Sequence, residues 1–192
     1  MTVLYIVRHG ETTYNLERRI QGQLDIDLSD LGIRQAKACG EYYKDIKLDV
    51  AISSDLCRAK KTAETIIAGK GIKLKTTKEL RERSFGSYEG SLFSCLEGVD
   101  MESESYDGES DAVFHERVMG IMNKIANEEK DKRVLVLTHG QVIKTFLEEI
   151  CPDDPRVKKV VANCSTTIVE YTNDHFVLKD YSLTDHLSDI NR

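Results

Sequence analysis

The segment Val3-Leu4-Tyr5-Ile6-Val7-Arg8-His9-Gly10 sets the fold class of this chain. Its five apolar residues, rich in β-branched and aromatic side chains, predict a short buried strand. Gly10 permits a sharp turn, so Arg8 and His9 are expected at the C-terminal edge of a sheet, where ligands bind in open α/β folds. An Arg beside a His suits a phosphate, because the guanidinium can bind two oxygens and the imidazole can attack phosphorus.

A second copy of this arrangement is found at Arg133-Val134-Leu135-Val136-Leu137-Thr138-His139-Gly140. It is followed by apolar residues at helical spacing, Val142, Phe146 and Ile150. Two strand-His-Gly-helix units predict that His9 and His139 lie side by side at one sheet edge. Neither His has a partner at metal-ligand spacing, and Glu11 is the nearest candidate, so we expect an anion between them and no metal.

The rest of the chain alternates between strand and helix patterns, which is typical of an α/β sandwich. Helices are expected after Ser29, Asp55 and Ser110 as N-caps, the first with an apolar face of Ile33, Ala36, Gly40 and Tyr43. Strands are expected at residues 48–53, 72–76, 166–172 and 175–180, the last two joined by a hairpin turn at Asn173-Asp174.

Composition favours one compact intracellular domain over residues 1–192. The net charge is −6 and no basic stripe with interleaved aromatic residues is present, so a nucleic acid partner is not expected. The N-terminal apolar run is too short for a signal peptide or a membrane span, which predicts a cytoplasmic protein with no membrane partner. Five scattered cysteines predict reduced thiols. The oligomeric state is left open.

Four ordered blocks of sequence resemble the histidine phosphatase superfamily, which includes the cofactor-dependent phosphoglycerate mutases. They are Arg8-His9-Gly10-Glu11-Thr12-Thr13-Tyr14-Asn15 continued by residues 21–29, residues 53–63 around Arg58, residues 80–90 around Glu82, and Thr138-His139-Gly140. The resemblance implies a phosphoglycerate mutase-like fold, a three-layer α/β/α sandwich with a mostly parallel central sheet.

The resemblance also implies a role for each matched residue. His9 is the expected nucleophile, Glu82 the proton donor, and Arg8, Arg58 and a cationic His139 the ligands of the phosphoryl group. Asn15, Gln21, Gly22 and Gly140 are implied as further substrate-binding residues. Arg58 also breaks a local rule, since a cation in the first turn opposes the helix dipole unless both share an anion. No metal or cofactor is expected.

Three functions fit this set of residues: hydrolysis of a small phosphorylated metabolite, a cofactor-dependent phosphoglycerate mutase, and a non-catalytic module that binds phosphorylated ligands. A pure binding module has no need for both a nucleophile and an acid. A mutase must hold a second phosphate, yet residues 91–111, here called the acidic segment, contain no Lys or Arg. We therefore expect a phosphatase. The acidic segment is predicted to be either a lid that selects against polyanions or a solvated loop.

Overall fold

The computed structural model describes residues 1–190, which form a six-stranded sheet in the order β3-β2-β4-β1-β5-β6. Neighbouring strands are parallel from β3 to β1, whereas β5 is antiparallel to both β1 and β6. This confirms the predicted mostly parallel central sheet. The strands are β1 (Thr2–Arg8), β2 (Val50–Ser54), β3 (Leu74–Thr77), β4 (Arg133–Thr138), β5 (Thr166–Thr172) and β6 (His175–Leu183).

Helices cover both faces of the sheet, which confirms the α/β/α sandwich. Leu4 and Ile6 of β1 pack into a core with α4 and α5, whereas Val7 packs into a second core with α2 and α3. Burial on both faces explains why the strand is a continuous apolar run rather than an alternating one. The helices are α1 (Thr13–Leu16), α2 (Asp30–Tyr43), α3 (Cys57–Ile67), α4 (Asp111–Glu128) and α5 (Gly140–Ile150).

The register of β1 against β4 positions the two histidines. Arg8 pairs with Thr138 at the end of the parallel ladder, and the backbone amide of His9 donates to the Thr138 carbonyl at 3.1 Å. His9 and His139 therefore follow their strands at the same level of one sheet edge, as the repeated motif predicts.

Two local predictions are wrong. Asp55 does not cap α3, because both of its carboxylate oxygens accept from Arg81 at 2.7 Å; Leu56 is at the N-cap without a side-chain bond. A bidentate charge-assisted pair is stronger than a cap. Ile33 is 44% exposed rather than buried, because the inner face of α2 begins one residue earlier, at Gly32.

Other local predictions are confirmed. Ser29 and Ser110 cap α2 and α4 through bonds of 3.0 and 3.3 Å from the amides of Gly32 and Val113. Asn173 and Asp174 have φ of 50° and 60°, the left-handed pair that a two-residue hairpin turn of type I′ requires. Within residues 1–190, none of the helices combines the length and apolarity that crossing a bilayer demands.

Candidate active site

A cavity of about 310 Å³ lies beyond the C-terminal ends of β1 and β4. Its walls bring together eight of the nine residues predicted for the site: Arg8, His9, Asn15, Gln21, Gly22, Arg58, Glu82 and Gly140. The ninth, His139, is fully buried behind His9, with ring centroids 5.1 Å apart.

His9 is held in one orientation and one tautomer. Its Nδ1 lies 2.7 Å from the carbonyl oxygen of Gly10, and because a carbonyl accepts only, Nδ1 carries the proton and Nε2 keeps its lone pair. Burial, followed by the nearby Arg58 and Arg8, holds the pKa of His9 well below its usual value. A neutral imidazole with a free Nε2 can act as a nucleophile.

The turn after His9 requires glycine. A Cβ on Gly10 would lie 2.6 Å from the carbonyl oxygen of Gly32 in α2. The Gly10 amide donates to the Thr62 hydroxyl at 3.1 Å, and the His9 carbonyl accepts from the Asn163 amide at 2.9 Å. The backbone that carries His9 is therefore fixed from α2, α3 and the segment before β5.

Arg8 and Arg58 each have one buried side-chain nitrogen without a hydrogen-bond partner. Arg58 donates to the carbonyls of Leu24 and Gly22 at 2.7 and 2.8 Å, and Arg8 donates to the Val161 carbonyl at 2.5 Å. The Nε–H of each guanidinium is buried and unpaired. Burial lowers the pKa of Arg58 to about 10, which still leaves it cationic at neutral pH. Two buried, unsatisfied cationic donors beside one cavity are a natural anion site.

The protonation state of His139 differs from the cationic state that the family resemblance implied. Its Nε2 lies 2.9 Å from the Ser54 hydroxyl, and its buried Nδ1 has no partner. Burial lowers the pKa of His139 well below its usual value, and the charges of Arg58 and Arg8 add to this effect. The imidazole is therefore neutral at neutral pH, because burial beside two guanidiniums disfavours a third positive charge.

The pKa of Glu82 is shifted in the opposite direction, upward. Burial raises the pKa of its carboxyl group, although the group accepts from the amides of Arg83 at 3.1 Å and Gln141 at 3.2 Å. The bond from Gln141 ties Glu82 to the first turn of α5, directly after His139-Gly140. A carboxyl group that keeps its proton at higher pH can serve as a general acid.

The amides of Asn15 and Gln21 are oriented by Thr12. The Thr12 backbone amide donates to Asn15 Oδ1 at 3.1 Å, and the Thr12 hydroxyl donates to Gln21 Oε1 at 2.9 Å. With both oxygens engaged as acceptors, the NH₂ groups remain as donors. Gly22 has a φ of 50°, and a Cβ there would overlap the Glu89 carboxylate at 2.0 Å, so glycine is required where its carbonyl accepts from Arg58.

Some cavity residues were missed by sequence reasoning. Three lysines complete the rim, and the Lys158-Lys159 pair after Pro155 was a visible signal. Thr12, Ser54, Thr62 and Asn163 orient the site, but isolated hydroxyls and amides give no sequence signal. The residues that line the cavity and were not predicted are Phe85, Phe93, Gln141, Lys144, Lys158, Lys159, Val160 and Val161.

The acidic segment contributes one residue to the cavity, Phe93. Several of its carboxylates are engaged elsewhere: Asp107 accepts from the Ser87 amide, Glu109 pairs with Arg117, and Asp111 pairs with Arg83. None of these three carboxylates lines the cavity, where the electrostatic argument against a second phosphate requires negative charge. Among residues 1–190, no three His, Cys, Asp or Glu side chains are grouped as metal ligands.

Comparison with known proteins agrees with this geometry. The sequence profile of the histidine phosphatase superfamily (branch 1) matches residues 4–184. The chain is 33% identical over 189 residues to the uncharacterized phosphatase PhoE of Bacillus subtilis, covering 98% of both chains. It is 33% identical over 209 residues to a metal-independent phosphoserine phosphatase of Arabidopsis thaliana, covering 99% of this chain and 85% of the relative. The structure of Bacillus stearothermophilus YhfR superposes with a TM-score of 0.88 at 27% identity, covering 98% of this chain and 100% of that one.

The chain belongs to the histidine phosphatase superfamily. It is a phosphatase-type enzyme with a phosphoglycerate mutase-like fold. Relatives named probable phosphoglycerate mutase match the chain over similar lengths. The choice between a phosphatase and a mutase therefore depends on the geometry of the site as well as on sequence similarity.

Proposed function

We propose that this enzyme hydrolyses small phosphomonoesters through a phosphohistidine at His9 and without a metal ion. The observation that carries the proposal is the free Nε2 of a neutral His9 beside two guanidiniums, each with a buried and unpaired Nε–H. A nucleophile and a site for an anion thus meet in one cavity.

The phosphoryl group of the substrate binds to Arg8 and Arg58, with the NH₂ groups of Asn15 and Gln21 as further donors. Two guanidiniums neutralise the dianion, a task that Mg²⁺ performs in many other phosphoryl-transfer enzymes. The bound dianion also raises the pKa of His139, which then takes up a proton and donates to a phosphoryl oxygen. His139 thereby becomes the expected cation once the anion has arrived.

Reaction then proceeds in two displacements. His9 Nε2 attacks phosphorus, the bond from phosphorus to the ester oxygen breaks, and Glu82 gives its proton to that oxygen. In the second step Glu82, now a carboxylate, takes a proton from water as the water oxygen attacks phosphorus. The bond to Nε2 breaks, and inorganic phosphate leaves with both sites restored.

Hydrolysis is favoured over retention of the phosphoryl group because water reaches the cavity. Phe93 and Val160 at its walls are half exposed and 83% exposed, respectively. The relatives named phosphatases point the same way. The mutase alternative retains one supporting observation, the three rim lysines, which would tolerate a second phosphate. We also propose a cytoplasmic location, in keeping with five free thiols.

The test is a panel of phosphomonoesters assayed for phosphate release in the presence of a chelator. Isomerisation of 3-phosphoglycerate with 2,3-bisphosphoglycerate is scored separately and identifies a mutase. Rapid quenching with ³²P-labelled substrate should trap acid-labile label on the protein. His9→Ala should abolish both label and turnover and leave the fold intact, because His9 lines the cavity and belongs to neither hydrophobic core. Near-normal phosphate release by this variant would refute the phosphohistidine mechanism.

A further inference from the structure

We infer that His186, in the helical turn that follows β6, is a positioning residue for the nucleophile His9. Its imidazole supports Cys164 in a left-handed backbone conformation, and the Cys164 amide in turn holds the main chain of Arg8 and His9. His186 lies outside the set of residues that line the cavity. The kinetic test of this inference rests on the proposed function.

The backbone of Cys164 is the first observation. Cys164 is fully buried, and its φ of 53° lies in the left-handed region that a residue with a Cβ disfavours. Such a conformation persists only where the surrounding contacts hold it. The Cys164 amide donates to the carbonyls of Arg8 at 3.0 Å and of His9 at 3.3 Å. The strained residue therefore lies directly against the main chain of the nucleophile.

The contacts of His186 are the second observation. Its Nε2 lies 2.9 Å from the Cys164 carbonyl oxygen, and because a carbonyl only accepts, Nε2 carries the proton. Its buried Nδ1 has no hydrogen-bond partner within residues 1–190. The ring is stacked on Tyr42 of α2, with centroids 4.8 Å apart and planes inclined by 23°. Packing therefore orients the imidazole so that its N–H points at the Cys164 carbonyl.

Both ends of this connection are anchored, which is the third observation. Leu187, next to His186, is 1% exposed and packs into the same core as Val7 and Cys164. At the other end, the side-chain amide of Asn163 donates to the His9 carbonyl at 2.9 Å. Two hydrogen bonds in series thus connect His186 to the nucleophile through packed groups.

The expected effect falls on attack at phosphorus rather than on phosphate binding. Arg58 and the Nη1 of Arg8 are held by carbonyls on other segments, so both guanidiniums keep an anchor when Cys164 shifts. The Nε2 of His9 follows its own main chain, and a misplacement of about 1 Å can cost about a hundredfold in rate. Loss of the His186 donor should therefore slow phosphorylation of His9 more than it weakens the binding of phosphate.

The experiment compares His186→Phe, which keeps an aromatic ring against Tyr42 but has no donor, with His186→Gln, whose amide nitrogen replaces Nε2 as donor. We expect His186→Phe to slow rapid-quench phosphorylation about tenfold, for alkyl and aryl esters alike, because the acid Glu82 is untouched. Calorimetry should show nearly unchanged affinity for inorganic phosphate. His186→Gln should retain most of the rate. Ser188→Ala, at an exposed site at the end of the same turn, is the control and should behave as the wild type.

A donor that merely fills space is distinguished by a second set of variants. Glycine adopts positive φ without steric cost, so Cys164→Gly removes the need for support from His186. In this background His186→Phe should slow phosphorylation less than it does alone. His186→Leu, which also lacks a donor, repeats the comparison with a smaller side chain. The inference is wrong if the two losses multiply, if His186→Gln is as slow as His186→Phe, or if both donor-free variants phosphorylate at the wild-type rate.

Hydrogen exchange of the Cys164 amide, followed by NMR, tests the positioning without catalysis. His186→Phe should speed exchange of this amide, whereas His186→Gln should leave it protected. The amides of Leu135 and Val136, buried in β4, should stay protected in both variants and report an intact fold. If the wild type forms no phosphohistidine with any ester, the proposed function fails, and this exchange alone then decides the inference. Unchanged protection of Cys164 in the donor-free variants would overturn it.

Discussion

His9 and Glu82 line the same cavity, yet burial acts on them in opposite directions. It lowers the pKa of the imidazole, which is charged when protonated, and raises the pKa of the carboxyl group, which is charged when deprotonated. Both pKa shifts favour the protonation state that the first displacement needs. The nucleophile is a free base, and the carboxyl group keeps its proton to a higher pH than a solvated one, because burial disfavours either charge.

Glu82→Gln tests whether the Glu82 carboxyl group protonates the leaving oxygen. The variant should slow phosphorylation by alkyl phosphates about a hundredfold or more, since general acids contribute on this scale. The rate of phosphorylation by aryl phosphates should fall much less, because a phenolate departs without a proton. Rapid-quench rates of the first step are the measurement, because Glu82 also serves in the second step. Glu79→Gln, at an exposed carboxylate three residues away, is the matched control, and equal losses for both ester types would move the acid elsewhere.

At this scale the sequence predicts the residues within motifs and misses those outside them. Arg8, His9, Arg58 and Glu82 each lie in a block whose order along the chain is informative. Lys158 and Asn163 come from the segment before β5, and their place at the site depends on how that segment packs against Arg8 and His9. Such long-range placement leaves no periodic signal. The neutral state of His139 was also out of reach, because it depends on burial that the sequence does not display.

Among the elements, the loop before Glu82 is stabilised by a cation from α4. Arg117 donates to the carbonyls of Glu79 and Arg81 at 2.8 Å and of Glu82 at 3.2 Å. Glu109 of the acidic segment holds the same guanidinium at 2.6 and 2.7 Å. The acidic segment therefore contributes to the position of Glu82 through Arg117, a role that its composition did not indicate.

Arg117→Gln should reproduce the signature of the Glu82 variant in weaker form. Displacing Glu82 by a fraction of an ångström should slow alkyl phosphates about tenfold, with aryl phosphates less affected, because misplacement of catalytic groups is costly. When Arg117→Gln is combined with Glu82→Gln, it should not increase the difference between alkyl and aryl phosphates any further. Arg34→Gln on the exposed face of α2 is the control. Equal slowing of both ester types by Arg117→Gln would show a general structural defect instead.

The elements themselves were largely predictable because each local signal agreed with the fold. The strand-His-Gly-helix repeat predicted that His9 and His139 meet at one sheet edge, and Ser29 and Ser110 were correct caps. The failure at Asp55 arose because Arg81, 26 residues away, competes for the carboxylate. A rule about local capping does not include a distant partner of opposite charge.

Over the whole molecule, the burial of ionisable groups at the active site costs folding free energy. The buried side chains of Arg58, His9 and His139 lie together with the partly buried Arg8 at the ends of the central strands. Folding keeps His9 and His139 neutral, whereas in the unfolded chain a histidine titrates near pH 6.5. The folded state thus binds fewer protons than the unfolded state when the pH falls below this value. His186, whose pKa burial also lowers, acts in the same direction, and Glu82, whose pKa is raised, opposes it.

The free energy of unfolding should therefore fall with acid below about pH 6.5, by about 1.4 kcal/mol per pH unit for each histidine that stays neutral. Urea denaturation between pH 5.5 and 7.5 measures how the free energy of unfolding changes with pH. This pH range lies above the one in which Asp55 and Glu109, with lowered pKa values, contribute to the slope. His139→Gln should reduce the slope by about one proton. Inorganic phosphate should also flatten the slope, because a bound dianion permits His139 to protonate in the folded state. A slope in His139→Gln equal to that of the wild type would contradict the neutral, buried imidazole on which the proposed order of anion binding and protonation depends.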